Sequence, residues 1–503
     1  MASPEPDKDI RTANIVRGIG FLSIQGVITA LLGFVLLAAL LRFLPSLDYS
    51  AYAAVQVTVG LAAVVSNFGF GSAAVRFLAP EAMKEGSAGW GTAKASLALT
   101  TLFAGASCLV LALAAPYLSD YFLKGPSYAW VFYLGALWLF SSSMSSLLMA
   151  VLQGMRRYRL LAGVVVGSRV VAVAVAAVAL VLYQSLQIAL LSWALYGALV
   201  SLAVIFVIRG PLIGAKSRPY FRTVWKYAAP LGVAGVVTAV AGNADIVVVG
   251  GYLNPGALGI YNATVVISGV VSFLLVGPLT TALFAETSFS SGKEDEVRQG
   301  TSLALRFAVI AVLPTALFAA AMAPQLIGLF SGGGTYSQGV PYLQLITLFY
   351  VFTAVQAIAS SIMQGVGNTR QVLIVGALTA IGETVLSASL VPELGLGGAA
   401  YSRVAMFVAG CALSLYFIRR YLPRRTDYSF FARALAGSAA PAVVVYALSD
   451  LVSDRVITLI PYTLLGVAIF LGAARILRLF TPDDRTYLSH LLPAGLKWVL
   501  RLI

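Results

Sequence analysis

The chain has 503 residues, of which 60% are hydrophobic and only 10% are charged, and its mean hydropathy is +0.92. Soluble proteins have about 25% charged residues, so this composition excludes an ordinary soluble enzyme and indicates a polytopic membrane protein. The net charge of +14 does not require a nucleic-acid partner, because basic residues concentrate on the cytoplasmic loops of membrane proteins. Cys108 and Cys411 lie in apolar runs and His490 is the single histidine, so the sequence predicts no disulfide framework, no metal site and no catalytic site.

Apolar runs divide the sequence into about fourteen predicted transmembrane helices, since a helix needs about 20 apolar residues to cross a bilayer. Residues 1–14 precede them as a polar tail. The first six helices are predicted near 17–41, 51–75, 93–117, 128–152, 160–183 and 187–208. The next six are predicted near 226–251, 258–283, 300–329, 340–364, 371–391 and 396–418, and two more near 432–449 and 456–477.

Lysine and arginine are distributed unevenly among the loops. The loops after odd-numbered helices contain three, Arg42, Lys124 and Arg455. The loops after even-numbered helices contain many, including Arg156, Arg157, Arg159, Arg209, Lys216, Arg218, Arg222, Arg419, Arg420, Arg424 and Arg425. The positive-inside rule therefore predicts a protein of the cytoplasmic membrane with both termini in the cytoplasm.

An internal repeat predicts two related halves. Gln153-Gly154 recurs as Gln364-Gly365, each with an Arg five residues after the Gly, and Ala115-Pro116 recurs as Ala323-Pro324 at nearly the same offset. We therefore expect two parallel six-helix lobes, the architecture of many transporters. The predicted domains are an N-lobe at 1–209, a cytoplasmic connector at 210–225, a C-lobe at 226–420, an appended helix pair at 421–478 and an interfacial amphipathic helix at 479–503.

Small-residue runs occur at 69–74 and 395–400, and we expect them to allow helices to pack closely. Neither run ends in the Lys-Ser/Thr pair of a phosphate-binding P-loop. No nucleotide site is therefore predicted, and any energy coupling would be ionic. No other cofactor is expected, and the sequence leaves open whether H⁺ or Na⁺ is the coupling ion.

Ionisable residues inside predicted helices are candidates for function, because burial in a membrane costs several kcal/mol unless the group faces a cavity or a partner. The substrate-binding candidates are Arg169, Arg403, Arg76, Arg306 and Arg17. The ion-coupling or lumen acid candidates are Asp245 and Glu383. Arginine suits phosphate because its planar guanidinium donates two parallel hydrogen bonds and keeps its charge.

Structural alternatives stand beside these assignments. Arg169 can instead pair with Glu383 or Asp245 as a bridge between the lobes. Arg17, Arg76 and Arg306 lie near cytoplasmic helix ends, where snorkelling to the interface accounts for them. For Arg403 the two interpretations are evenly balanced.

Four short stretches resemble a known family. They are 67–76 with its Gly-rich end closing on Arg76, 245–261 around Asp245, Tyr252-Leu253 and Gly259-Ile260-Tyr261, the segment 364–368, and the segment 394–400. In these stretches the chain resembles the Wzx-type flippases of lipid-linked oligosaccharides, within the multidrug/oligosaccharidyl-lipid/polysaccharide exporter superfamily. The resemblance implies two lobes around a cavity, alternating access, a polar lumen position at Asp245 and a lobe-edge cation at Arg76.

The resemblance implies a flippase that moves a polyprenyl-phosphate-linked oligosaccharide across the membrane for cell-surface glycan synthesis. Its expected partners are membrane lipid and the lipid-linked glycan, with a polysaccharide polymerase or glycosyltransferases working beside it. Alternatives in the same superfamily are a lipid-linked peptidoglycan-precursor flippase and a cation-coupled drug exporter. A membrane glycosyltransferase or polymerase is a remoter alternative, because the outer loops are too short for an external catalytic site, and we expect no enzyme activity.

Overall fold

The computed structural model describes residues 6–78, 89–214, 219–269, 294–422, 427–448 and 456–480. Within these ranges the chain is helical and contains no β-strand. The first helices are α1 (Pro6–Phe43), α2 (Ser46–Asn67), α3 (Phe70–Phe77), α4 (Gly89–Leu123), α5 (Ala129–Gly154), α6 (Tyr158–Tyr183), α7 (Leu186–Gly214) and α8 (Phe221–Tyr252).

The second part of the chain continues the same pattern. Its helices are α9 (described over 255–269), α10 (Glu294–Ala321), α11 (Ala323–Ser331), α12 (Val340–Leu348), α13 (Tyr350–Gly365), α14 (Thr369–Leu394), α15 (Leu396–Phe417), α16 (Tyr428–Ala447) and α17 (Val456–Ile476). Short 3₁₀ helices lie at Pro126–Tyr128, Gly334–Gly339 and Arg419–Tyr421.

Among the described residues, 12 helices are long and apolar enough to cross a membrane, or 13 if a bent pair counts as one span. The predicted all-α, polytopic fold is confirmed. The predicted eighth span at 258–283 is described only as far as residue 269. The predicted amphipathic helix at 479–503 lies outside the described residues apart from its first two, and the predicted connector at 210–225 is described except for 215–218.

Several apolar runs that the sequence predicts as single helices are interrupted. The run 51–75 breaks between α2 and α3, where Phe68 and Gly69 have positive φ angles of 31° and 78°. The run 300–329 breaks at Met322, and the run 340–364 bends by 41° at Phe349. Hydropathy measures the apolarity of a segment and is unaffected by one residue that leaves helical geometry.

The chain divides into two compact units, unit 1 at residues 1–243 with 254–259 and unit 2 at 244–253 with 260–503. The connector predicted at 210–225 overlaps the start of α8, and the two units divide further along α8, after residue 243. The first turns of α8 belong to unit 1 because they pack closely on the α2–α3 junction. A Cβ on Gly232 would lie 2.6 Å from the Phe68 ring, and a Cβ on Gly69 would lie 2.7 Å from the Ala228 carbonyl oxygen.

Each unit has its own apolar interior. In unit 1, Leu147, Leu148 and Leu152 of α5 pack against Val200 and Val204 of α7. In unit 2, α10, α13 and α14 enclose a cluster that includes Ala304, Ala308, Ile358, Ile362, Met363 and Val375. Because lipid tails are as apolar as these side chains, close van der Waals packing rather than escape from water holds such helices together.

The appended helices α16 and α17 pack on α10 within unit 2, through Val309, Ile310, Phe430 and Ala474. α16 begins after Asp427, whose carboxylate accepts hydrogen bonds from Ser429 Oγ at 2.7 Å and from the Phe430 N–H at 3.0 Å. These bonds, first the one from Ser429, hold the pKa of Asp427 below its usual value. Asp427 therefore caps the helix as a charged residue.

The two copies of the Gln-Gly motif have the same local structure. α5 ends at Gly154 and α13 ends at Gly365, and the next helix begins four residues later in both copies. Two residues after each of these glycines the backbone is left-handed, with φ of 56° at Arg156 and 83° at Gly367. The predicted repeat is therefore also a repeat of conformation.

The predicted close packing at the second small-residue run is confirmed at the α14–α15 turn. A Cβ on Gly398 would lie 2.3 Å from the Leu390 carbonyl oxygen, so the two helices approach backbone to backbone. Gly395, which joins them, has φ of 59° and ψ of −135°, a conformation that only glycine adopts freely.

Candidate functional site

A buried ion pair joins α8 and α15 in unit 2. The guanidinium of Arg403 donates two hydrogen bonds to the carboxylate of Asp245, from Nε to Oδ2 at 2.6 Å and from Nη2 to Oδ1 at 2.6 Å. Tyr261 donates its hydroxyl to Oδ2, and the Ile246 N–H donates to Oδ1 at 2.8 Å. Asp245 is fully buried and Arg403 is 7% exposed, so each charge depends on the other.

Glu383 of α14 is the third charged group of this cluster. Its Oε1 lies 3.8 Å from Arg403 Nε, and it has no hydrogen-bond partner among the residues that the structure describes. The side chain is 4% exposed. Because one guanidinium neutralises only one of two carboxylates, either a net negative charge or a bound proton belongs to the cluster. Of the two carboxylates, that of Glu383 has a buried oxygen, Oε1, without a hydrogen-bond partner in the described part of the chain.

Three of the residues predicted as functional lie in this one cluster. The structure brings Asp245, Glu383 and Arg403 together, and the partner of Asp245 is Arg403. The structural alternative considered from the sequence paired Arg169 with Glu383 or Asp245. Their roles in substrate binding and ion coupling stay predictions. In this conformation the guanidinium of Arg403 is engaged by Asp245 and is not offered to a ligand.

Arg169 lies in unit 1 against aromatic rings. Its Cζ atom is 4.0 Å from the centroid of the Trp193 ring and 5.4 Å from that of Tyr196. Trp193 is fixed in turn, because its Nε1 donates to the Tyr52 hydroxyl at 2.9 Å and its ring stacks on Trp138 at 5.0 Å. Cation–π contacts of this kind stabilise by about 1–2 kcal/mol when partly desolvated.

The guanidinium of Arg169 is held in place without being saturated. Its Nε is buried and has no hydrogen-bond partner in the described part of the chain, and the side chain as a whole is half-buried. Arg169 lies eleven residues into α6, about 16 Å along the helix at 1.5 Å per residue. Arg169 is therefore a fixed cation at membrane depth, and its part in substrate binding stays a prediction.

The remaining predicted arginines are placed separately. Arg306 stacks on Phe430, with Cζ 4.3 Å from the ring centroid, and donates to the Leu479 carbonyl at 3.5 Å. It therefore links α10 to the appended helices in unit 2. Arg17 lies in α1, and its side chain is outside the described residues. Arg76 ends α3, with Cζ 4.8 Å from the ring centroid of Tyr227 on α8.

Arg76 borders two cavities in unit 1. One, of about 520 Å³, is lined by Arg76, Phe77, Arg222, Thr223, Lys226 and Tyr227. The second, of about 750 Å³, also includes Arg76 and Tyr227, but its polar lining comes from Gln25, Asn67, Ser72, Ser146 and Gln153. We call them the cationic cavity and the polar cavity. Neither Arg222, counted only among the basic loop residues, nor Lys226 was predicted as a binding residue, although their spacing of four places both on one helix face.

No group of three His, Cys, Asp or Glu residues close enough to hold a metal ion occurs within the described ranges. The sites described above contain arginine, lysine, carboxylate and amide groups, which can bind anions and donate hydrogen bonds to hydroxyls.

Comparison with known structures defines the class of the fold. At a TM-score of 0.74 and 15% identity, the chain is similar over 91% of its length, and 98% of the other chain, to the lipid II flippase MurJ in an inward closed conformation. A multidrug resistance transporter of the MATE family, of the MOP superfamily, matches at a TM-score of 0.63 and 15% identity, over 80% of this chain and 97% of that chain. A MOP superfamily transporter from Pyrococcus furiosus, described as having a binding pocket of reverse polarity, matches at a TM-score of 0.59 and 17% identity. That match covers 80% of this chain and 94% of that chain. The fold is that of these membrane transporters.

Family models define the membership. The model described as "Polysaccharide biosynthesis protein" matches residues 15–284, more than half of the chain, and the chain belongs to that family. The MatE model matches residues 230–389. The resemblance to the exporter superfamily is thereby confirmed, and the chain is in a superfamily of transporters. No curated protein matches the sequence.

Proposed function

We propose that the protein is a flippase for a polyprenyl-phosphate-linked oligosaccharide in cell-surface glycan synthesis, working by alternating access in the cytoplasmic membrane. The observation that supports this most is the match to the polysaccharide biosynthesis family over residues 15–284. The substrate would bring one or two phosphates, and burying them unaided in hydrocarbon is prohibitive. Fixed cations such as Arg169 would replace the water around those phosphates during transfer.

The transport reaction makes and breaks no covalent bond in this proposal, so the protein is not an enzyme. Glycosyltransferases would supply the lipid-linked oligosaccharide and a polymerase or ligase would consume it, and both termini would lie in the cytoplasm. Coupling to H⁺ would place the exchanged proton at Glu383, whose buried Oε1 has no hydrogen-bond partner among the residues that the structure describes.

A second function in the same superfamily is flipping of a lipid-linked peptidoglycan precursor. The fold likeness to MurJ favours it, since that match extends over 91% of this chain whereas the MATE match extends over 80%. At 15% identity such a likeness concerns the fold and does not define the cargo. A drug exporter is the third cargo class.

Deletion of the gene, with complementation by the wild-type chain, separates these functions. A glycan flippase predicts loss of surface glycan and accumulation of its lipid-linked precursor on the inner leaflet, measured by lectin binding to spheroplasts before and after permeabilisation. Lysis with accumulated lipid-linked peptidoglycan precursor would establish the second function. Unchanged surface glycan with increased drug sensitivity would contradict both flippase functions.

A further inference from the structure

The two cavities that share Arg76 and Tyr227 form one bipartite surface on unit 1. We propose that this surface binds the glycosyl-diphosphate headgroup of the lipid-linked glycan, with the diphosphate in the cationic cavity and the adjoining sugars in the polar cavity. The inference rests on the proposed function and adds to it a binding site in which the orientation of the headgroup is assigned. Neither cavity contains Arg169 or the Asp245–Arg403 pair.

The cationic cavity has three positive side chains and no carboxylate among its described lining residues, because Arg222 and Lys226 of α8 join Arg76 of α3. Arg222 and Lys226 are four residues apart, so they project from the same face of α8 and repel each other. A cleft lined by one sign of charge concentrates the opposite ion. A bound diphosphate would relieve the repulsion and accept hydrogen bonds from both arginines.

Aromatic packing holds these cations in register. Trp225, which lies between Arg222 and Lys226 in α8, stacks on Phe68 with centroids 5.7 Å apart, and it lies 6.0 Å from the ring of Phe103. Tyr227 meets Phe77 of α3 edge to face at 5.8 Å. The start of α8 is therefore fixed to α3, and the cationic cavity does not have to form when an anion arrives.

The polar cavity offers hydrogen-bonding groups with almost no charge. Gln25, Asn67 and Gln153 contribute amides, and Ser72 and Ser146 contribute hydroxyls. The Oε1 atom of Gln25 has no partner within the described ranges, and Asn67 uses its amide nitrogen to cap Ala63 O at 2.8 Å, which leaves its oxygen to accept. Neutral donors and acceptors on a cavity of about 750 Å³ suit sugar hydroxyls, and the volume is in the usual range for ligand pockets.

The junction sets the polarity of the site. Arg76 lies over the Tyr227 ring and lines both cavities, so it is placed where a phosphate would join a sugar. A third cavity has a comparable charge and is lined by Arg156, Arg157, Tyr158, Arg159, Leu160, Gly163 and Val164. That cavity shares no lining residue with the polar cavity, and it therefore serves as the matched control.

The test uses the full-length protein in nanodiscs of neutral phosphatidylcholine. The probes are inorganic pyrophosphate, farnesyl diphosphate, and farnesyl diphosphate with one attached hexosamine, titrated calorimetrically at two salt concentrations. We expect the double variant Arg222→Gln with Lys226→Gln to bind all three probes at least tenfold more weakly than the wild type. The control double variant Arg157→Gln with Arg159→Gln should change the affinity for each probe less than twofold.

A second variant tests the polar cavity separately. Gln153→Ala should weaken the hexosamine-linked probe about tenfold and leave inorganic pyrophosphate unchanged, which a folding defect would not do. Equal losses in the two double variants, or equal effects of Gln153→Ala on all probes, would overturn the inference. If the probes bind selectively but deletion of the gene leaves surface glycan intact, the binding site stands and the proposed function is refuted. If deletion abolishes surface glycan but the probes do not bind selectively, the proposed function stands and the binding site is refuted.

Discussion

Arg403 and Asp245, 158 residues apart in the sequence, form a two-point hydrogen-bonded ion pair that is buried in unit 2. Both oxygens of the carboxylate are engaged, and Tyr261 adds a third side chain to the arrangement. Removing one member of such a pair leaves an uncompensated buried charge, which costs about 3–5 kcal/mol, whereas replacing both members by apolar groups is often neutral.

A double-mutant cycle tests this pair. Arg403→Met and Asp245→Leu should each lower the thermal unfolding temperature and the amount of protein in the membrane, and the double variant should recover most of both losses. Neutralising Asp245 alone is therefore expected to reduce protein level, so glycan display must be normalised to it. Asp295→Asn is the control, because Asp295 is 89% exposed in its pair with Arg298 and should change stability by less than about 0.5 kcal/mol.

Glu383 should respond differently from Asp245, although both are buried acids of the same cluster. Glu383→Gln removes a carboxylate that Arg403 does not hydrogen-bond, and we expect the unfolding temperature to stay within a few degrees or to rise. Asp245→Asn should lower it clearly. Thermal unfolding in detergent measures both. Equal losses of unfolding temperature in Glu383→Gln and Asp245→Asn would contradict the finding that Arg403 hydrogen-bonds Asp245 and not Glu383.

Arg169 is expected to affect transport more than stability. Arg169→Gln leaves no carboxylate unpaired among its described neighbours, so protein level should hold while surface glycan falls below a tenth of wild type. Arg169→Lys should be intermediate, because lysine keeps the charge and loses the planar donor. Arg209→Gln is the matched control, since Arg209 also lies over an aromatic ring, that of Phe206, with its Cζ atom 4.4 Å from the ring centroid. Normal glycan display in both Arg169 variants would exclude a substrate role.

The α14–α15 turn gives a stability test with an internal control. Gly398→Ala would place a methyl group 2.3 Å from the Leu390 carbonyl oxygen, so the two helices must separate and we expect a loss of about 1–3 kcal/mol. The neighbouring Gly397→Ala meets only ordinary contacts, the nearest at 3.5 Å. Chemical unfolding of both variants measures the difference, and similar stabilities would show that the turn relaxes without cost.

The sequence predicts the helices well because apolarity and length decide membrane insertion. α14 and α15 are predicted at 371–391 and 396–418 and observed at Thr369–Leu394 and Leu396–Phe417. Breaks such as Phe68–Gly69 and Phe349 depend on backbone geometry and tertiary packing, to which hydropathy is insensitive. The two compact units also depend on tertiary packing, since Phe68 fits closely against Gly232 and the start of α8 lies in unit 1.

The pairing of Asp245 with Arg403 could have been predicted from the sequence by comparing how deep each residue lies in its predicted helix. Asp245 lies seven residues before the end of α8, and Arg403 lies seven residues after the start of α15. At 1.5 Å per residue both are about 10 Å from the same predicted face of the membrane. Arg169, counted from the opposite face, had no such match. The two cavities beside Arg76 were out of reach, because their lining comes from helices whose order in space the sequence does not reveal.

The distance in sequence between Asp245 and Arg403 has a consequence for biosynthesis. Translation at 5–20 residues per second separates the two side chains, 158 positions apart, by roughly 8 to 30 seconds. During this interval Asp245 is already part of the nascent chain, and Arg403 has not yet been added to it. Asp245 therefore gains its ion-pair partner only once α15 has been made, and a chain truncated before α15 would leave this acid without a guanidinium.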